Sequence, residues 1–218
     1  MIQKETLTAL GIPSAVYDFC HIREKALREQ FERIEEIAEA NQAKVLAAFQ
    51  KHRVSENHFE TTTGYGYNDL GRDTLEAVYA EIFGTEDALV RPQLICGTHA
   101  LSTALFGCLR HGDGLLYATG EPYDTLQGVI GLRPELGSLM EHGITYAQAE
   151  LKEGGSPDPE AVVAALRPET HLVGIQRSKG YKVRHTLSVD EIGSIIHAVK
   201  AVRPDIICMV DNCYGEFT

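Results

Sequence analysis

The first part of the chain alternates apolar and charged positions with a helical period. Leu27, Phe31 and Ile34 recur at spacings of three and four residues, among side chains of opposite charge four residues apart. The pattern runs over residues 17–50 and predicts one long helix or two. Because such an arm more often braces an oligomer or a neighbouring domain than forms a site, we assign residues 1–56 to an N-terminal helical arm.

The periodicity is lost in the next stretch of the chain. Residues 57–74 are polar and glycine-rich, which predicts a loop. Thr74 then stands where a helix N-cap is expected, and Gly84 stands where that helix should stop. The apolar run at 88–96 predicts a short strand, in which Pro92 favours an edge of a sheet.

From residue 88 onward, short apolar runs alternate with helical patterns. Further strands are predicted over residues 113–120, 144–151, 170–178 and 206–210. Ser188 and Glu191 have the spacing of a capping box at the start of the last helix. The alternation predicts an α/β fold with a mainly parallel sheet covered by helices on both faces, so we assign residues 57–218 to one large domain of this kind. The uninterrupted apolar run of the last strand predicts burial on both of its faces.

Composition narrows the range of partners. A formal net charge of −11 over 218 residues argues against nucleic acid or an anionic membrane, because both reward clustered lysines and arginines. The N-terminus lacks a basic region followed by an apolar one, and no apolar run is long enough to span a bilayer, so a cytoplasmic protein is expected. The five cysteines predict no disulfide framework, and Cys96 and Cys208, inside apolar runs, are expected to be reduced and buried. The nine histidines show no metal-ligand spacing.

Candidate chemistry lies where predicted strands end. Asp211 follows the last strand, at the edge where open α/β sheets bind ligands, and it either opens a solvated turn, binds a metal-nucleotide or pairs with a cationic ring nitrogen. Gly97, Thr98 and His99 open a helix and offer amides and a hydroxyl to a phosphate, although many β-α turns have this composition. Tyr123 lies just beyond another strand, where its ring either stacks on a planar ligand or packs against the protein.

These residues, in this order, match the requirements of pyridoxal phosphate. A helix N-terminus suits the phosphate, an aromatic ring covers the pyridine, and a carboxylate keeps the ring nitrogen protonated. The two common nucleotide loops, G-x-x-x-x-G-K-[ST] and G-x-G-x-x-G, are both missing from the sequence. A P-loop-like nucleotide hydrolase, with Asp211 holding Mg²⁺, is therefore disfavoured.

Three segments carry a resemblance to a known family: GYGYNDLGRDTLEAVYAEIFGTEDALVRPQ, QRSKGY and VDNCYGEF. In them the chain resembles fold-type I pyridoxal-phosphate enzymes of Cys/Met metabolism, such as methionine γ-lyase, and most of all the group of aluminium-resistance proteins and C–S lyases. The resemblance implies that Gly97, Thr98 and His99 form the phosphate turn, that Tyr123 stacks on the pyridine ring and assists as an acid–base group, and that Asp211 contacts the ring nitrogen.

The resemblance also implies an oligomer. Tyr67 looks like the tyrosine that these lyases lend to the phosphate of a neighbouring subunit, so a homodimer or homotetramer is expected. The arginine that follows two positions later in the related lyases is replaced by Asp69, with Arg72 as a substitute nearby. Arg177 and Arg184 are candidates for binding a substrate carboxylate, the alternative being that they are solvated.

The lysine that binds the cofactor covalently follows the aspartate strand in this fold type. Lys179 precedes Asp211 and does not match that position, so the lysine is expected beyond residue 218, in a longer protein. The resemblance implies a lyase that breaks the C–S bond of a small sulfur-containing amino acid. Another pyridoxal-phosphate enzyme, such as an aminotransferase, would use nearly the same residues. The non-enzymatic alternative is an acidic, metal-sequestering stress protein, and no metal site is assigned.

Overall fold

Two compact units make up the computed structural model, which describes residues 3–63 and 69–217. The first unit contains the described residues up to Val90 together with Phe217, and the second runs from Arg91 to Glu216. The first unit therefore extends past residue 56, the end of the arm predicted from the sequence. None of the described helices is both long enough and apolar enough to cross a membrane.

Helices build the first unit. They are α1 (Lys4–Ala9), α2 (Ser14–Ala26), α3 (Arg28–Lys51) and α4 (Leu70–Phe83), with a short 3-10 helix at Glu56–Phe59. The periodic segment predicted as one helix or two is two, because the chain breaks between α2 and α3 at Leu27. Ala48 of α3 packs against Val78 and Ile82 of α4 in a small apolar core.

The start of α4 differs from the prediction. Its N-cap is Asp69, whose carboxylate accepts a hydrogen bond from the Arg72 amide at 3.1 Å, and Thr74 lies inside the helix. Thr74 was wrongly predicted as the cap, because Asp69, five residues earlier, is at least as good an N-cap. The predicted stop is confirmed, since Gly84 adopts a left-handed conformation with φ of 64°.

The strand predicted over residues 88–96 does not form. The Leu94 amide donates to the Arg91 carbonyl at 3.0 Å, which closes a turn with Pro92 in its second position. Proline favours that position of a turn because its φ is already set, and this local preference outweighs the apolar character of the run. Helix α5 (Gly97–Cys108) therefore follows an irregular segment and not a strand.

The second unit contains a four-stranded, entirely parallel sheet. Its strands are β1 (Gly114–Tyr117), β2 (Thr145–Gln148), β3 (Thr170–Gln176) and β4 (Ile207–Asp211), in the order β2-β1-β3-β4. Helices α6 (Asp124–Ile130), α7 (Pro159–Ala165) and α8 (Val189–Val202) follow β1, β2 and β3 in turn. The predicted α/β fold and its parallel sheet are confirmed.

Alternate residues of the central strands supply two cores. Leu115 and Tyr117 of β1 join one apolar cluster, which includes Leu105 of α5 and Leu126 of α6. The intervening Leu116 joins the other cluster, with side chains of α7 and α8. This period of two buries both faces of the sheet, as the near-continuous apolar strands predict.

The last strand is the exception. β4 pairs with β3 and is the edge strand of the described sheet, so its side chains are half-buried. Both faces of the strand are covered as predicted, with Cys208 and Val210 against one core and Ile207 and Met209 against the other. Burial is incomplete because no described strand covers its outer edge. Cys208 of β4 is half-buried, and Cys96 is exposed, in contrast to the buried thiols expected from the sequence.

Candidate active site

The N-terminus of α5 forms one side of the candidate site. Gly97, Thr98 and His99 are its first three residues, as predicted. The Cys96 sulfur caps the helix by accepting a hydrogen bond from the His99 amide at 3.4 Å. The hydroxyl oxygens of Thr98 and Thr125 lie 2.8 Å apart, which joins the start of α5 to the first turn of α6. A helix start with amides and a hydroxyl is suited to an anion.

Tyr123 lies beside this helix start, as the N-cap residue of α6. Its ring stacks on the ring of Tyr181, with centroids 6.0 Å apart and planes inclined by 29°. A hydrogen bond between the two phenols is the main cause that raises the pKa of Tyr123 to about 12. The raised pKa keeps the phenol neutral, which suits a ring that stacks on a ligand.

Gln176 connects Tyr123 with the end of the sheet, a role that the sequence analysis missed. Its side-chain carbonyl accepts the Tyr123 amide at 2.9 Å, and its side-chain amide donates to the Ser178 carbonyl at 3.0 Å. The Gln176 main chain pairs in register with Asp211 of β4. The sequence did contain a signal for this role, because Gln176 is a polar residue that follows the apolar centre of β3.

Asp211 is the last residue of β4, at the carboxyl edge of the sheet. Its main-chain carbonyl accepts the Arg177 amide at 3.0 Å, and its carboxylate accepts the Cys213 amide at 3.2 Å. Burial is the main cause that raises the pKa of Tyr117, and the negative charge of Asp211 adds to the effect. The charge of the Asp211 carboxylate therefore acts on a phenol within the sheet.

The two candidate arginines are both engaged by the protein. Arg177 is only 8% exposed, so the solvated alternative is wrong for it, and its guanidinium donates to the Leu187 and Gly215 carbonyls. Arg184 is half-buried and donates to the carbonyls of Gln176 and Ser178. Burial lowers the pKa of Arg184. Binding of a substrate carboxylate by either arginine stays a prediction.

Two further predicted residues are not among those that the structure describes at this strand edge. Tyr67 lies outside the described residues, so its contact with a neighbouring subunit stays a prediction. Arg72 belongs to the first unit, where its guanidinium pairs with the Asp73 carboxylate at 2.8 Å. Within the described ranges, no three His, Cys, Asp or Glu side chains converge as a metal site would require.

The structure therefore brings five predicted residues to one edge of the sheet. Gly97, Thr98 and His99 reach Tyr123 through the Thr98 contact to α6. Tyr123 in turn reaches Asp211 through Gln176. Part of this edge is a cavity of about 140 Å³, lined by Tyr123, Gln176 and Tyr181 among others. Such a set can bind an anion, cover a planar ring and hold a cationic nitrogen.

Several known proteins are similar to this chain in sequence or in fold. YnbB of Bacillus subtilis, described as an uncharacterized protein, is 53% identical over 186 residues, which are 84% of this chain and 44% of YnbB. L-methionine gamma-lyase of Porphyromonas gingivalis is 26% identical over 69% of this chain and 34% of its own length. The structure of a carbon-sulfur lyase involved in aluminum resistance from Clostridium novyi NT matches with a TM-score of 0.92 and 48% identity, over 100% of this chain and 53% of that one.

The chain thus spans about half the length of these relatives or less. The family model described as methionine gamma-lyase matches residues 16–218, which is nearly the whole chain. This match includes most of α2 and all of α3, as well as the strand edge with Tyr123 and Asp211. The chain belongs to the methionine gamma-lyase family.

Proposed function

We propose that this chain carries the cofactor site of a pyridoxal-phosphate-dependent lyase that breaks the C–S bond of a small sulfur-containing amino acid. The observation that carries the proposal is the connected set of Thr98, Tyr123 and Asp211 at one strand edge. Each belongs to a different element, and each has the chemistry that a different part of the cofactor needs. The names of the C–S lyases among the relatives support the reaction class.

The residues present fit the cofactor. The start of α5 combines main-chain amides, a positive dipole end and the Thr98 hydroxyl, which together suit a phosphate dianion. A Cβ added to Gly97 would meet nothing within 4 Å, so the turn faces open space in which a phosphate can approach the backbone. The Tyr123 ring already packs against the Tyr181 ring in an offset stack, which restricts the orientation of its plane.

When bound, pyridoxal phosphate supplies a ring that withdraws electrons from the substrate α-carbon. Asp211 would hold the proton on the ring nitrogen, since a carboxylate next to a cationic nitrogen favours the charged form. Tyr123 would cover the ring and keep its own phenolic proton, in agreement with its raised pKa. The start of α5 would hold the phosphate and so orient the ring against these two groups.

The reaction can be told from its alternatives by its products. A C–S lyase converts methionine or cystathionine and water into a thiol, a 2-oxo acid and ammonia in equal amounts. An aminotransferase would move the amino group to an added 2-oxo acid and release neither thiol nor ammonia. An acidic metal-sequestering protein would release none of these products and would bind metal ions stoichiometrically.

The test begins with the absorbance spectrum of the purified full-length protein, with and without pyridoxal phosphate. Thiol, 2-oxo acid and ammonia are then measured with methionine and with cystathionine as substrates. Asp211→Asn should keep the fold and lose at least 100-fold in turnover, about 3 kcal/mol of transition-state stabilisation. Unchanged turnover in Asp211→Asn, or no cofactor band in the parent protein, would refute the proposed function.

We further infer that the active form is at least a homodimer in which Tyr67 reaches the phosphate of a neighbouring subunit. The inference rests on the resemblance of the segment around Tyr67 to the lyases. Its test is light scattering of the purified protein together with complementation between two variants, Tyr67→Asp, whose added carboxylate should repel the cofactor phosphate, and Asp211→Asn. Mixed subunits should regain activity if the two residues serve one site from different chains, and no regain would contradict the inference.

A further inference from the structure

Arg177 is the most deeply buried charged side chain near the candidate site. Only 8% of the residue is exposed. Its Nε donates to the Leu187 carbonyl at 3.1 Å, and its Nη1 donates to the Asn212 side chain at 2.9 Å and to the Gly215 carbonyl at 2.7 Å. A buried guanidinium is stable only when its donors are satisfied, so these oxygens and the arginine must keep their relative positions.

The guanidinium fixes a tight turn that directly follows Asp211. The Gly215 amide donates to the Asn212 carbonyl at 2.9 Å, which closes the turn. Tyr214 within the turn has φ of 70°, a conformation that residues other than glycine rarely adopt. A Cβ on Gly215 would collide with Nη1 of Arg177, so the turn and the guanidinium are fitted to each other.

The turn also holds the Asp211 carboxylate, because the Cys213 amide donates a hydrogen bond to that carboxylate at 3.2 Å. The main chain of Asp211 is fixed independently, since its carbonyl accepts the Arg177 amide at 3.0 Å. Arg177 therefore reaches Asp211 by two routes: its own amide holds the backbone, and its guanidinium holds the turn that orients the carboxylate.

We propose that Arg177 is a positioning residue that aims the Asp211 carboxylate at the ring nitrogen of the cofactor. The proposal rests on the proposed function, because it assumes that a pyridine nitrogen lies at Asp211. It assigns Arg177 a role inside the protein in place of the substrate contact predicted from the sequence. The role needs a planar fork with several donors, which lysine cannot supply even though it keeps the charge.

The test uses pyridoxamine 5′-phosphate as the probe, since it carries the phosphate and the pyridine but has no aldehyde and needs no lysine. Its affinity is measured by fluorescence titration of the purified protein, and the titration of its ring nitrogen is followed by absorbance against pH. Arg177→Lys should weaken binding about fivefold to tenfold and move the ring-nitrogen titration to lower pH. Asn212→Ala, on the exposed part of the turn, should give the same shift with a smaller loss of affinity.

The matched control is Arg203→Lys, the same chemical change at the opposite end of β4. Arg203 pairs with the exposed Asp205 carboxylate at 2.7 Å, so this variant should bind the probe and titrate like the parent protein. A merely structural role of Arg177 would lower the melting temperature without moving the ring-nitrogen titration. That outcome would overturn the proposal, and if Arg177→Lys does not fold, an unshifted titration in Asn212→Ala overturns it equally.

Asp211→Asn separates this proposal from the proposed function. A shifted titration in Asp211→Asn together with unshifted titrations in Arg177→Lys and Asn212→Ala would refute the positioning role alone. An unshifted titration in Asp211→Asn would refute the assignment of Asp211 to the ring nitrogen, and the positioning role would fall with it. Parallel shifts in all three variants are the result expected from the structure.

Discussion

Gly174→Ala measures how tightly the sheet is packed beneath the site. Gly174 lies opposite Tyr117 in the register of β3 and β1. An added Cβ would lie 2.8 Å from Cε2 and 3.1 Å from Cδ2 of the Tyr117 ring, whereas carbon atoms prefer a separation of about 3.5–4.0 Å. The ring is 1% exposed and surrounded by a core cluster, so it has little room to turn away.

The expected cost follows from this geometry. Inserting one methyl group into a filled core destabilises a protein by about 1–3 kcal/mol. For a chain of this size, each kcal/mol lowers the melting temperature by about 2–4 °C, so Gly174→Ala should melt about 2–12 °C below the parent protein. The φ of Gly174 lies outside the left-handed range, so steric overlap and not backbone strain is the cause.

Gly193→Ala is the matched control. Gly193 lies inside α8, where an added Cβ would meet nothing within 4 Å. The same change should therefore stabilise the protein by about 0.5–1 kcal/mol, because alanine favours a helix interior over glycine. Thermal unfolding of both variants is followed by circular dichroism. Equal melting temperatures for Gly174→Ala and the parent protein would refute the packing described around Tyr117.

Three further predictions concern the phosphate site and the start of α8. Thr98→Ala should weaken pyridoxal phosphate binding about fivefold, which is roughly 1 kcal/mol for one hydrogen bond, and leave binding of phosphate-free pyridoxal unchanged in the same titration. Tyr67→Phe should weaken cofactor binding by a similar factor, and equal affinities would contradict its phosphate contact. The pKa of Glu191 is lowered mainly by the hydrogen bond from the Ser188 amide, and further by His185. The charged carboxylate therefore stabilises the fold above about pH 4.5, and this stabilisation is lost as the pH falls. The difference in melting temperature between the parent protein and Glu191→Gln should therefore be largest near neutral pH and close in acid. A constant difference would contradict the negative charge of Glu191 as its source, because glutamine can also complete the capping box.

The sheet could be predicted from the sequence because its signals are local. β1, β2, β3 and β4 each fall within or next to a predicted strand, and the capping box of Ser188 and Glu191 is present at the start of α8 as predicted. Where two local signals competed, the sequence did not decide between them. Residues 88–96 combine an apolar run with a turn-favouring Pro92, and the turn forms.

The sequence predicted which residues form the candidate site, but it did not predict the contacts between them. The positions of Gly97, Tyr123 and Asp211 at the ends of elements follow from the order of strands and helices. The connection through Gln176 depends on the strand order, which places β3 between β1 and β4. Sequence spacing does not reveal that order, so the residue that joins the two halves of the site was missed.

Asp69 stands where the related lyases have an arginine, and this replacement has a structural role as well as a chemical effect. Its carboxylate caps α4 through the Arg72 amide and accepts the Thr62 hydroxyl at 2.8 Å, and the Arg72 guanidinium pairs with Asp73. An anion committed to a helix cap cannot replace an arginine that binds phosphate, because it would repel the dianion. Among the described residues, the amides at the start of α5 remain a source of positive potential for a phosphate. Cofactor affinity should then depend on the Thr98 turn more than it does in lyases that keep the arginine.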